Sequence, residues 1–151
     1  MTIDKFGAAK IETIRAFENR YHLRLPSDYV KFLLQYNGGI IDKDEKCQVF
    51  VKGLQRTIHV DVLYGIDTTH ENANIDTWMA MFMDDILEGA VIIGDSIEHG
   101  FLVLMCSSDD IGICYWDHSH EFPNSNDESN MYFIAGTFTD FAKNLLQNPT
   151  L

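Results

Sequence analysis

The sequence predicts a single α+β domain over residues 1–151, with a largely antiparallel central sheet packed against N-terminal helices, a middle helix and a C-terminal helix. Apolar residues recur at helical spacing near both ends and in the middle of the chain. The segments between them alternate at strand spacing or form short apolar runs. The length of 151 residues suits one hydrophobic core, and no repeat or linker divides the chain.

The helices are predicted from apolar spacing and from their end signals. Residues 11–21 carry apolar side chains three and four positions apart, which is typical of an amphipathic helix. A second helix is expected to be capped by Ser27 and to stop at residues 37–39, Asn-Gly-Gly, because glycine readily takes the left-handed conformation that closes a helix. The same spacing predicts a middle helix over residues 75–86 and a closing helix capped by Thr137.

The strands are predicted between these helices. Residues 58–62 alternate three β-branched side chains with two polar ones, and residues 47–51 are expected to pair with them in a hairpin that turns near Gly53. The other predicted segments are strands at 90–93, 101–106 and 111–116, a surface loop at 118–130 and an edge strand at 132–135. The run 101–106 lacks polar alternation, so it should be central and covered on both faces.

Charge is unevenly distributed along the chain. The formal net charge is -12, and residues 57–142 hold sixteen acidic residues but no Lys or Arg. The resulting negative electrostatic field disfavours direct nucleic-acid binding, which depends on clustered cations, and it attracts basic protein surfaces. No apolar run approaches the roughly 18 residues of a membrane span, and the N-terminus lacks a signal-peptide pattern, so we expect a cytoplasmic protein without membrane contact.

Catalytic signals are weak. His118 and His120 lie two apart on what is predicted to be extended backbone and could share a metal, but a third ligand must come from His99 or Asp95. A hydrolase that works through such a metal would use Asp117 with the two histidines. A metal-assisted hydrolase is therefore an alternative that only this spacing supports. The sequence contains no nucleophile-elbow or phosphate-loop motif, and we predict no enzymatic activity, no cofactor and no resident metal.

Adjacent carboxylates occur at three places, which are Asp84/Asp85, Asp109/Asp110 and Asp127/Glu128. Paired carboxylates serve glycosidases and metal sites when they face each other across a substrate. Neighbours in sequence usually point different ways, so each pair is interpreted as solvated loop charge.

Several motifs follow one another along the chain. The opening segment reads Leu25-Pro26-x-x-Tyr29-x-x-Phe32-Leu33-x-x-x-Asn37-Gly38-Gly39. Later blocks are Ile92-Ile93-Gly94-Asp95, Gly112-x-x-Tyr115-Trp116-Asp117-His118 and Ile134-Ala135-x-x-Phe138-x-x-Phe141. In these motifs and their order, the chain resembles the SUKH superfamily, the SMI/KNR-like proteins, from about residue 11 to residue 146.

The resemblance implies a non-enzymatic α+β domain that is often encoded beside a polymorphic secreted toxin and neutralises that toxin by direct binding in the cytoplasm. Many such toxins are nucleases, which present basic grooves to phosphates. Some members are instead regulatory or scaffold proteins with an endogenous partner, and this reading is the alternative. The resemblance leaves the oligomeric state open.

We therefore predict an immunity protein, or antitoxin, that binds a cognate toxin, a basic nuclease, through its acidic half. The contact residues predicted from charge and exposure are Asp84, Asp85, Glu88, Asp95, Asp109, Asp110, Trp116, Asp117 and Glu121. Adjacent strand residues point to opposite faces, so we expect Trp116 to face the partner and Tyr115 to lie in the core.

Overall fold

The computed structural model describes residues 3–41, 47–107 and 111–146. Its helices are α1 (Ile11–Tyr21), α2 (Ser27–Gln35), α3 (Ile75–Phe82) and α4 (Phe138–Leu146). Its strands are β1 (Ile3–Lys5), β2 (Gly39–Ile41), β3 (Gln48–Val51), β4 (Arg56–Leu63), β5 (Ala90–Ser96), β6 (Phe101–Cys106), β7 (Ile111–Trp116) and β8 (Met131–Ala135). The predicted α+β class is confirmed.

The strands form one antiparallel sheet in the order β1-β2-β4-β5-β6-β7-β8, with β3 paired to β4. Strand β4 is long enough to hold two neighbours along one edge, because its first half pairs with β3 and its last residues pair with β2. The predicted hairpin of β3 and β4 is confirmed, with a short 3-10 turn at Lys52–Leu54 between the strands. The predicted edge position of β8 is also confirmed, since it pairs only with β7 in the described part of the chain.

Helices cover both faces of this sheet. Helix α3 packs on β5, and its Phe82 contacts Trp116 of β7. Tyr115 points to the opposite face, where α4 packs on β7 and α2 packs on α4. Strand β6 therefore lies between two helical layers, and its residues Phe101–Met105 are all buried, as the absence of polar alternation predicted.

One of the two predicted helix caps is present in the structure and the other is not. The expected cap at Ser27 is wrong: Pro26 occupies the cap position and Ser27 is the first helical residue. The fixed φ of proline suits that place, and the Asp28 carboxylate instead accepts hydrogen bonds from the backbone N–H of Tyr29 and from Thr139 of α4. The predicted cap at Thr137 is confirmed, because its hydroxyl oxygen accepts the Asp140 N–H at 3.0 Å.

The chain leaves α2 through the predicted Asn-Gly-Gly stop. Asn37 has a φ of 51° and Gly38 a φ of 83°, both in the left-handed region that ends helices. Asn37 is also buried, and its side-chain amide exchanges two hydrogen bonds with the backbone of Ile66. The stop signal therefore also joins the N-terminal helices to the segment that precedes α3.

The middle helix is shorter than its apolar pattern predicts. Helix α3 ends at Phe82, and the apolar spacing that extends to Ile86 continues through a turn in which the Asp85 N–H bonds to the Phe82 carbonyl. Asp84, Asp85 and Glu88 lie in or just after this turn and are exposed, as expected. Within the described ranges, no helix combines the length and the apolar character needed to cross a bilayer.

Candidate partner-binding groove

An aromatic cluster lies on the α3 face of the sheet. Phe82 meets Trp116 edge to face, with ring centroids 5.5 Å apart. His118, directly after β7, packs against Phe82, Phe101 and Trp116 at centroid distances of 5.2, 4.7 and 5.4 Å. Trp78 extends the cluster towards β4, with its ring stacked on Tyr64. The α3 face therefore presents a continuous aromatic layer beside the end of β7.

A loop anchored by Asp117 forms the wall opposite α3. The Asp117 side chain is fully buried, and its carboxylate accepts the backbone N–H groups of Glu121 and Phe122, each at 3.0 Å. It also accepts the Ser125 hydroxyl at 2.5 Å, and Ser125 in turn contacts the Tyr132 hydroxyl at 2.9 Å. Three donors hold this buried charge, so Asp117 fixes the path of the loop between β7 and β8.

A groove of about 660 Å³, which we call the acidic groove, separates the end of α3 from this loop. Its apolar lining consists of Phe82, Ile86, Leu87, Trp116 and Met131. Its polar lining includes Asp85, His118, His120, Asp127 and Glu128. More than half of the lining residues are polar, so the groove combines an apolar part with more polar groups than a typical small-molecule pocket has.

The rim of the acidic groove is negative on both sides. Asp85 stands on the α3 side, and Asp127 and Glu128 stand on the loop side. The Asp127 side chain is 97% exposed, and its contact in the structure is with His120 at 3.5 Å. In the described part of the chain, neither Asp85 nor Glu128 forms an ion pair, and no Lys or Arg lines the groove. These carboxylates can therefore act on an incoming cation.

The histidine in the base of the groove is held neutral. Burial lowers the pKa of His118, against the opposing effect of the Asp117 carboxylate. Its Nδ1 atom is buried and has no hydrogen-bond partner within the described residues, so aromatic packing holds the ring. At neutral pH the base adds no positive charge to the negative rim.

A second groove of about 570 Å³ lies on the other side of His118, between Trp78, Phe101 and the β5–β6 turn. Asp95 lines it, but that side chain is already committed: its carboxylate accepts the Tyr64 hydroxyl at 2.5 Å and the Val62 N–H at 3.2 Å. Burial raises the pKa of the Asp95 carboxyl, and the hydrogen bond from Tyr64 opposes that rise. Asp95 is therefore less available to a partner than the rim of the acidic groove.

The predicted contact residues do not form one surface. Asp84, Asp85, Glu88 and Glu121 are exposed, and Asp109 and Asp110 lie outside the described residues. The expected outward position of Trp116 is wrong: the residue is 6% exposed because α3 covers the face that we expected to be open. The expected exposure of Asp117 is also wrong, since its carboxylate is buried in the loop it anchors. Tyr115 lies in the core as predicted.

The metal alternative receives no geometric support from these positions. His118 and Ser119 lie in a turn and His120 has a φ of 54°, so the expected extended backbone at this point is wrong. The Asp117 carboxylate is taken up by the loop donors. Across the described ranges, no group of three His, Cys, Asp or Glu side chains has the arrangement of a metal site.

The sequence predicts only part of the groove, because Asp85 and Trp116 are among the expected contact residues whereas Phe82, Asp127 and Glu128 are not. Phe82 was predicted as one face of a helix, and Asp127 and Glu128 as solvated loop charge. One sequence feature does point to this region, because a loop rich in Asp, Glu, Asn and Ser directly follows the aromatic end of a predicted strand. The pattern does not show that this loop returns to face the end of α3.

The fold and the groove together define a small α+β domain whose described surface carries an acid-rimmed cleft. A sequence model of the SMI1 / KNR4 family (SUKH-1) matches residues 8–144. The chain therefore belongs to the SMI1/KNR4 family, which includes proteins that confer immunity to toxins. A search of curated proteins found no significant match.

Proposed function

We propose that this protein is an immunity protein that binds a cognate toxin, a basic nuclease, and neutralises it without chemical conversion. The contact surface is the acidic groove together with the exposed carboxylates beside it, Asp84, Glu88 and Glu121, and the acidic pair Asp109/Asp110. The protein acts in the cytoplasm, where it meets the toxin. Membership in a family that includes toxin immunity proteins supports this function.

The observation that carries the proposal is the pairing of an apolar base with an acidic rim beside which no Lys or Arg lies in the described lining of the groove. Residues 57–142 contain no Lys or Arg, so this half of the chain supplies no cation to compete for the rim. A nuclease must present positive charge to the phosphates it binds, and a folded acidic surface is complementary to that charge. The apolar base supplies what charge alone does not, because desolvated contacts dominate the dissociation rate.

Co-expression provides the direct test. The gene for this protein is expressed in a sensitive host together with the cognate toxin domain, and growth is measured. The wild-type protein should restore growth. The double variant Asp84→Lys/Asp85→Lys should protect much less, because it reverses two exposed charges at the end of α3.

The matched control is Asp4→Lys/Glu12→Lys, which makes the same change in net charge on exposed residues of β1 and α1. This control should protect like the wild type. Equal protection by both double variants would contradict the proposed surface. Lack of protection by the wild-type protein, together with a stable complex with a purified endogenous protein, would replace immunity with a regulatory or scaffold role.

A further inference from the structure

The acidic groove has a form that suits one kind of side chain. It joins an aromatic and aliphatic base to carboxylates on opposite sides, Asp85 at the end of α3 and Asp127 on the loop. A long side chain with an apolar stem and a cationic head matches both parts, because the stem covers apolar surface while the head stays at the charged rim. Lys and Arg are the side chains of this form.

Two features of the groove favour arginine over lysine. The guanidinium is planar and weakly hydrated, and it stacks on aromatic rings, whereas the lysine ammonium is compact and strongly hydrated. Phe82 and the neutral His118, which are both half-buried, supply the rings, and the buried Trp116 lines the groove beside them. The guanidinium also presents a fork of donors that can engage carboxylates on two sides.

We propose that the acidic groove is a receptor for one arginine side chain of the partner, whose guanidinium meets Asp85 and Asp127 above the Phe82–Trp116 base. This inference rests on the proposed function, because the arginine is one that the basic toxin presents. The inference goes beyond that function because it names the partner's side chain and the residues that bind it. The arginine is then the anchor of the complex, and the other acidic residues steer its approach.

The experiment uses a blocked amino acid in place of the toxin. The ¹⁵N-labelled protein is titrated with N-acetyl-arginine N-methylamide while amide chemical shifts are recorded. Saturable shifts should appear in residues 82–88 and 116–131, with a dissociation constant in the millimolar range expected for one side chain. The corresponding lysine amide should bind about tenfold more weakly, because it lacks the planar fork.

A double variant, Asp85→Asn/Asp127→Asn, removes both rim charges and keeps the side-chain size. Both residues are exposed, so the fold should be retained, and arginine binding should weaken about tenfold or more. The control Asp4→Asn/Glu12→Gln removes two exposed charges elsewhere and should bind like the wild type. Shifts that do not saturate, or equal affinity for the lysine amide, would overturn the proposal.

The two proposals fail in distinguishable ways. Growth protection that persists in Asp85→Asn/Asp127→Asn, without binding of the arginine amide to the wild-type protein, would overturn the arginine receptor and leave toxin neutralisation standing. Specific binding of the arginine amide without protection by the wild-type protein would overturn toxin neutralisation and leave the receptor standing.

Discussion

Replacing Asp117 with alanine should loosen the loop that forms one wall of the acidic groove. The carboxylate accepts two backbone N–H groups at 3.0 Å and the Ser125 hydroxyl at 2.5 Å. Alanine removes all three acceptor contacts at once. The N–H of Phe122 is buried, so it would be left without a partner unless the loop opens to water.

The size of the effect follows from these contacts. A hydrogen bond to a charged group contributes about 1.5–3 kcal/mol, and an unsatisfied buried donor costs a similar amount. Because part of the loop can reach solvent and the contacts are not additive, we expect the free energy of unfolding to fall by about 3–5 kcal/mol. With a urea m-value of about 2 kcal/mol/M, the midpoint should fall by about 2 M.

Urea unfolding followed by tryptophan fluorescence measures this change, with two graded controls. Asp117→Asn keeps one acceptor oxygen and should cost about 1–3 kcal/mol, whereas Ser125→Ala removes one contact and should cost about 1 kcal/mol. The expected order of destabilisation is therefore Asp117→Ala, then Asp117→Asn, then Ser125→Ala. An unchanged midpoint in Asp117→Ala, accompanied by weaker partner binding, would refute the structural role and return Asp117 to the contact surface.

Three further predictions concern stability. Burial lowers the pKa of His118, so the unfolded chain takes up a proton at this residue before the folded chain does, and stability should decrease as the pH falls below about 6.5. In urea titrations at pH 5 and 7, His118→Phe should remove this decrease in stability. An identical decrease in the variant would contradict the prediction. Burial raises the pKa of Asp95, so stability should decrease as the pH rises from about 4. Asp95→Asn should remove that decrease in urea titrations at pH 4 and 7, and an unchanged decrease would contradict it. Thr137→Ala removes the α4 cap and should cost about 1 kcal/mol in urea unfolding, against no change for Thr69→Ala on an exposed turn.

The sequence predicts secondary structure well where one face of an element is apolar. Helix α1 begins and ends at the predicted residues, because its apolar spacing coincides with both ends of the helix. The apolar pattern places the end of α3 at residue 86, beyond its observed end at Phe82, because Ile86 continues the pattern although it lies in a turn. Periodicity detects which side chains face the core, and a turn that packs on the core produces the same pattern.

The candidate site was predicted only in part, for physical reasons. Alternation correctly places Tyr115 and Trp116 on opposite faces of β7, but it does not reveal that α3 covers the second face. Asp117 was expected to be exposed because charged residues usually are, yet three hydrogen-bond donors stabilise it in the interior. The groove combines residues near 85, 116 and 127, and only tertiary packing brings such distant segments together.

The central claim is that complementary charge at the acidic groove drives recognition of a basic toxin. The most direct test is the rate at which the purified protein associates with the purified cognate toxin domain. The rate is measured at ionic strengths of about 0.05 and 0.5 M, where screening of exposed charges differs strongly. The association rate of the wild-type protein should fall steeply as the salt concentration rises. Asp84→Lys/Asp85→Lys should weaken this salt dependence, whereas Asp4→Lys/Glu12→Lys should retain more of the salt dependence. Association that is insensitive to salt in the wild-type protein would contradict the claim.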